Sequence, residues 1–116
     1  MAAITNLTFA EVNAEATSPV FAYASSNITL DLGELTGDTF TGLSDPKVVK
    51  AVWKLLELCT LAQVTANDGV NEGERLAAFP KATIGQFNTT TYVVPMSRVI
   101  YVENKIDPSV LDGQTN

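Results

Sequence analysis

Three sets of side chains in this sequence have the types and spacing to do chemistry: Cys59, the carboxylates Asp31, Glu34 and Asp38, and the acidic turn Asn67–Glu74. A cysteine attacks or ligates as the thiolate, which needs a cation or a helix N-terminus beside it. Cys59 instead follows Val52 and Leu55 at helical spacing on an apolar stripe, the setting of an inert, packed thiol. A carboxylate does general acid work when burial raises its pKa. Asp31 alternates with Ile28, Leu30 and Leu32, so on a strand it points away from the apolar face, and nothing singles out Glu34 or Asp38 as buried.

The acidic turn invites a calcium reading. An EF-hand loop needs oxygen ligands at positions 1, 3 and 5, glycine at 6 and glutamate at 12. With Asp68 at position 1, Gly73 falls at 6, but Val70 falls at 3 and Phe79 at 12, and neither side chain is a ligand. An EF-hand is excluded, which leaves a solvated turn or an irregular, weak cation site. The sequence has no histidine and one cysteine, which removes Ser–His and Cys–His pairs, the commonest metal ligand and any intrachain disulfide. No glycine spacing matches a dinucleotide or P-loop fingerprint. Neither an enzyme nor a cofactor is expected.

The charge pattern narrows the partners. The formal net charge is −6, and it resides in residues 1–46, where Glu11, Glu15, Asp31, Glu34, Asp38 and Asp45 have no basic counterpart. General nucleic-acid binding depends on clustered Lys and Arg, so it is not expected. Tyr92, Arg98 and Tyr101 lie near one another but among apolar residues, unlike a base-stacking platform. The opening Met-Ala-Ala-Ile-Thr-Asn has neither a basic n-region nor an apolar h-region. Val48–Val64 is broken by Lys50, Lys54 and Glu57. Neither a signal peptide nor a membrane span is expected, and the location expected is cytoplasm or a virion.

With 116 residues, 46% apolar and 17% charged, the chain reads as one α+β domain over residues 1–111, followed by a flexible polar tail at 112–116. The expected architecture is an antiparallel or mixed sheet packed by one main helix at about 46–65. Period-2 alternation predicts a strand over Asn27–Leu32, another after Pro19 through Ala24 and a short one at Leu7–Phe9. Thr36-Gly37-Asp38 reads as a turn. In the helix, Ser44 or Asp45 is the expected N-cap and Pro46 suits the first turn. Val48, Val52, Leu55, Cys59 and Ala62 form the expected core stripe, widened by Val49 and Leu56 with Trp53 at its edge. Residues 66–82 read as loop. Residues 83–104 read as β, with a hairpin around Pro95–Ser97.

The outer helix face is split. Lys47, Lys50, Lys54 and Glu57 share one arc with Leu58 and Leu61. Either the domain's own chain covers the two leucines, or they meet another subunit. Trp53 and Lys54 adjoin them, and Arg98 interrupts the apolar face of the last strand region. Leu58, Leu61, Trp53, Lys54 and Arg98 are therefore the expected interface residues. The expected role is that of a non-enzymatic structural protein acting by self-association, as a homo-oligomer, or by docking on a larger particle such as a virion coat, decoration or connector assembly. The alternative is a small ligand- or peptide-binding module with a groove between helix and sheet, lined by Trp53 and Tyr92.

Overall fold

A computed structural model of the chain describes Ile4, residues 6–84 and residues 96–101. The class is α+β. Helix α1 (Phe9–Asn13) leads into strands β1 (Phe21–Ala24) and β2 (Asn27–Leu30), followed by α2 (Leu32–Thr36), the long α3 (Val48–Asn67), β3 (Thr83–Ile84) and β4 (Met96–Ser97). The expected single sheet is resolved into two separate antiparallel ribbons, β1–β2 and β3–β4. Helix α3 packs against α1 and α2. The apolar residues buried around it include Val12, Val20, Ala51, Ala62, Val70, Leu76 and Ala78.

The expected strand at Leu7–Phe9 is instead the start of α1. Thr8 and Glu11 form a capping box, in which the Thr8 hydroxyl accepts the Glu11 N–H at 3.1 Å and the Glu11 carboxylate accepts the Thr8 N–H at 2.8 Å. That pairing satisfies two backbone donors which a helix start leaves open. The ring of Phe9 then meets Phe21 edge-on, with centroids 4.9 Å apart. Asn13 fastens α1 to β1. Its amide nitrogen donates to the Phe21 carbonyl at 2.9 Å, and its oxygen accepts the N–H groups of Val20 and Phe21.

The hairpin registers Phe21 opposite Leu30 and Tyr23 opposite Ile28, which puts these four side chains on one face. Its two-residue turn is Ser25-Ser26, both with positive φ, 51° and 68°. The alternation expected to continue to Leu32 stops at Asp31. There the Asp31 carboxylate accepts the Glu34 N–H at 3.1 Å and caps α2. Gly37, at φ 76°, closes that helix in the left-handed region, so the predicted turn at Thr36–Asp38 is present.

Helix α3 begins at Val48 and ends at Asn67, shifted two residues toward the C-terminus from the expected 46–65. Lys47 occupies the N-cap position without a side-chain cap bond. Asp45, expected to cap, accepts the N–H of Thr41 at 2.7 Å and the Thr41 hydroxyl at 3.2 Å, closing the preceding loop on itself. The expected hairpin around Pro95–Ser97 is also corrected. Met96 and Ser97 pair with Ile84 and Thr83, so the connection falls among residues 85–95, outside the described residues. Tyr92 and the predicted tail at 112–116 lie outside them too.

Candidate interaction surface

Gln63 and Asn67, one turn apart on α3, hold the chain that follows the helix. The Gln63 side chain pairs with both backbone groups of Phe79, and the Asn67 side chain pairs with both backbone groups of Leu76 at 2.8 Å each. Thr60 adds a contact from its hydroxyl to the Pro80 carbonyl at 3.4 Å. Residues 76–80 are thereby laid over the C-terminal half of one face of α3. Among the described residues, no such clamp reaches the N-terminal half of that face. Val48 is 71% exposed, Val49 85% and Val52 52%. Val48 and Val52, expected in the core stripe, are therefore at the surface, because the clamp begins only at Thr60.

Grooves run along both flanks of Val48 and Val52. The first, about 350 Å³, lies between β2 and α3 and is lined by Leu30, Phe40, Leu43 and Leu55 besides the two valines. Leu43 stands fully exposed on its rim. The second, about 590 Å³ and shallower, is lined by Val49, Trp53, Leu56, Arg98 and Val99 together with the same two valines. The result is a ridge between two apolar depressions.

Three of the five expected interface residues come together around Glu57. The Arg98 guanidinium lies 4.6 Å from the centroid of the Trp53 ring. Its Nη1 donates to Thr60 Oγ1 at 3.1 Å and its Nη2 stands 3.7 Å from Glu57 Oε2. Lys54 approaches the other Glu57 oxygen at 3.5 Å. The Arg98 side chain is only 9% exposed, and its Nε is buried without a partner. A guanidinium stacked on an indole and held by a carboxylate is a structural pin joining the residue after β4 to α3. Leu58 and Leu61 occupy the adjacent arc, in a depression of about 210 Å³ shared with Glu15, Glu34, Lys54 and Glu57. Leu58 is half-buried there and Leu61 is 48% exposed. Its rim is thus charged, unlike that of the Val48–Val52 ridge.

The ionisable groups are arranged for ionic and packing roles. The hydrogen bond from Lys50 at 2.8 Å, with Lys47 nearby, holds the Asp38 carboxyl below its ordinary range. The backbone N–H of Thr41 does the same for Asp45. Burial pushes the Cys59 thiol up, which favours its unreactive protonated form. Among the described residues, no three His, Cys, Asp or Glu side chains converge as metal ligands, the acidic turn at 67–74 included. Among them, too, no helix is long and apolar enough to cross a membrane.

Compared with family models, with curated proteins and with solved structures, the chain matches none.

The exposed valines were hidden from sequence reasoning by their own periodicity, since an amphipathic stripe does not say how far along the helix a partner extends. The usable signal was Gln63 and Asn67. Two amides at i and i+4, interrupting an apolar stripe and followed by a glycine-rich turn, mark where the chain folds back over its helix.

Proposed function

We propose that this protein is a non-enzymatic structural component that works by burying exposed apolar surface against further copies of itself or against a larger assembly, such as a virion particle. The observation that supports this most is the exposure of apolar side chains along the first half of α3. Val48, Val49 and Val52, together with Leu43, occupy positions that a solitary domain of this size would use for its core. The carboxylates support the same reading. Asp38 and Asp45 are shifted down, away from the raised pKa that a general acid at neutral pH requires.

The test is absolute mass by light scattering behind a sizing column, over a concentration series. A discrete oligomer or a large particle is the expected result. A strict monomer up to high concentration removes self-association, leaving docking on a different assembly as the form of the proposal to be tested next.

The groove between β2 and α3 favours one second reading, a small ligand- or peptide-binding module. Its walls are apolar, with Asp45 and Lys47 at its margin. Trp53 lies in the adjoining depression, so titrating an apolar ligand should shift its fluorescence if this reading holds.

A further inference from the structure

We infer that the occupant of the Val48–Val52 ridge is the same ridge of a second copy, with two α3 helices crossing antiparallel about a two-fold axis near Val52. This rests on the self-association reading and specifies its surface. Three observations carry it.

The first is self-complementarity. A two-fold interface buries the same patch on both partners, so the patch must contain both the projection and the recess. Val48 and Val52 form an i, i+4 ridge, and the groove they share with Val49, Trp53, Leu56 and Val99 lies alongside it. The ridge of one copy seats in the groove of the other, the commonest arrangement for helices that meet face to face.

The second is area. Leu43, Val48, Val49, Val52 and Val99 are 107%, 71%, 85%, 52% and 49% exposed. These residues, backbone included, expose on the order of 600 Å², comparable with the largest apolar patch of a monomer. The partly exposed walls of the two grooves carry the patch toward the roughly 800 Å² per partner of a stable interface. The depression at Leu58 and Leu61 is smaller and sets its apolar residues, Leu35 and Val20 among them, beside three carboxylates and a lysine.

The third is charge. The ridge itself is uncharged, as the centre of an interface should be. Of the cations beside it, Lys50 and Lys47 share the Asp38 carboxylate, at 2.8 and 4.0 Å, and Arg98 in the groove wall stands 3.7 Å from Glu57. Two copies can approach without setting unpaired lysines against each other.

The experiment uses the full chain with Cys59→Ala, so that any disulfide comes from an introduced cysteine. Near a two-fold axis a residue lies close to its own copy, within the span a disulfide bridges. Val52→Cys should oxidise to a covalent dimer, whereas Leu61→Cys on the adjacent arc should not. In parallel, Val49→Asp and Val52→Asp should lower the self-association constant at least tenfold while helical circular dichroism is retained. If both aspartate variants associate like the parent and Leu61→Cys crosslinks in place of Val52→Cys, the ridge is the wrong surface while self-association stands. If the parent is a monomer and no cysteine crosslinks, self-association fails with it. If an aspartate variant loses its helix, the crosslinking pair still decides, because valine to cysteine leaves an uncharged side chain of similar bulk in place.

Discussion

Gln63 pairs with Phe79 as a neighbouring strand would: its amide nitrogen donates to the Phe79 carbonyl at 3.0 Å and its amide oxygen accepts the Phe79 N–H at 2.8 Å. A side chain thus stands in for a sheet partner at Phe79, beside the Ala78 carbonyl, which accepts the Tyr101 N–H at 2.9 Å. Buried backbone groups must be paired, and at Phe79 both the N–H and the carbonyl are met by Gln63. Gln63→Ala leaves both Phe79 groups without their partner and should cost about 1–3 kcal/mol, read as a lower urea midpoint. Asn67→Ala removes the equivalent pair at Leu76. Since both residues hold one segment, the double variant should cost less than the two single losses combined. Full additivity would show that the two amides act independently.

Arg98 gives a sharper test of what a buried charge contributes. Trp53 is the chain's single tryptophan, so its fluorescence reports the contact directly. Arg98→Lys keeps a charge in a site only 9% exposed but loses the planar stack and the fork toward Thr60 and Glu57. Arg98→Met removes the charge and keeps an apolar stem over the ring. Glu57 retains Lys54, and the Thr60 hydroxyl retains the Leu56 carbonyl. Replacing a buried ion with an apolar side chain is often neutral, whereas stranding the charge is not. Arg98→Lys should therefore be the more destabilising of the two, with a red-shifted Trp53 emission. The reverse order would mean that the Glu57 ion pair carries the site.

What the sequence made legible followed from local periodicity. The alternation over Asn27–Leu30 and after Pro19 identified both strands of the first ribbon, and the Val48–Ala62 pattern located α3. The α1 and α2 misreadings have one cause. At Leu7–Phe9 and at Leu32, two apolar residues at a spacing of two outweighed a capping signal, Thr8-x-x-Glu11 and Asp31-x-x-Glu34, that decides the local backbone. Trp53, Lys54 and Arg98 were each singled out separately. Their meeting at Glu57 was not legible, because a contact spanning some forty residues depends on how the chain returns to α3. The exposure of Val48 and Val52 was illegible for the same reason.

Acid should expose the role of Asp45. Hydrogen bonds from Thr41 and Gly42 hold its pKa in the folded chain below the ordinary aspartate range. A group depressed on folding stabilises the native state above its unfolded pKa, and that contribution is lost as pH falls through the folded value. Stability should therefore be flat through neutral pH and fall below about pH 4. Asp45→Asn should be less stable than the parent at pH 7, with the two curves converging as the pH drops through this range. Curves that stay parallel into acid would show that the 41–45 loop does not depend on the ionised carboxylate.

The turn between β1 and β2 carries a removable conformational cost. Two-residue hairpin loops with positive φ at both positions match the twist of the strands, and Asn-Gly is the pair that adopts them most readily. Here the pair is Ser25-Ser26, at φ 51° and 68°, joining Ala24 to Asn27 in register. A serine held in the left-handed region costs on the order of 1 kcal/mol that glycine does not pay. Both residues are exposed, so changing them disturbs no packing. Ser25→Asn with Ser26→Gly should raise stability by about 1 kcal/mol, seen as a higher urea midpoint with an unchanged slope. A fall in stability would mean that glycine's extra freedom in the unfolded chain outweighs the relieved strain. The amide protection of Ala24 and Asn27 would then separate the two effects, because a better-formed turn raises protection at these closing positions whatever happens to the global midpoint.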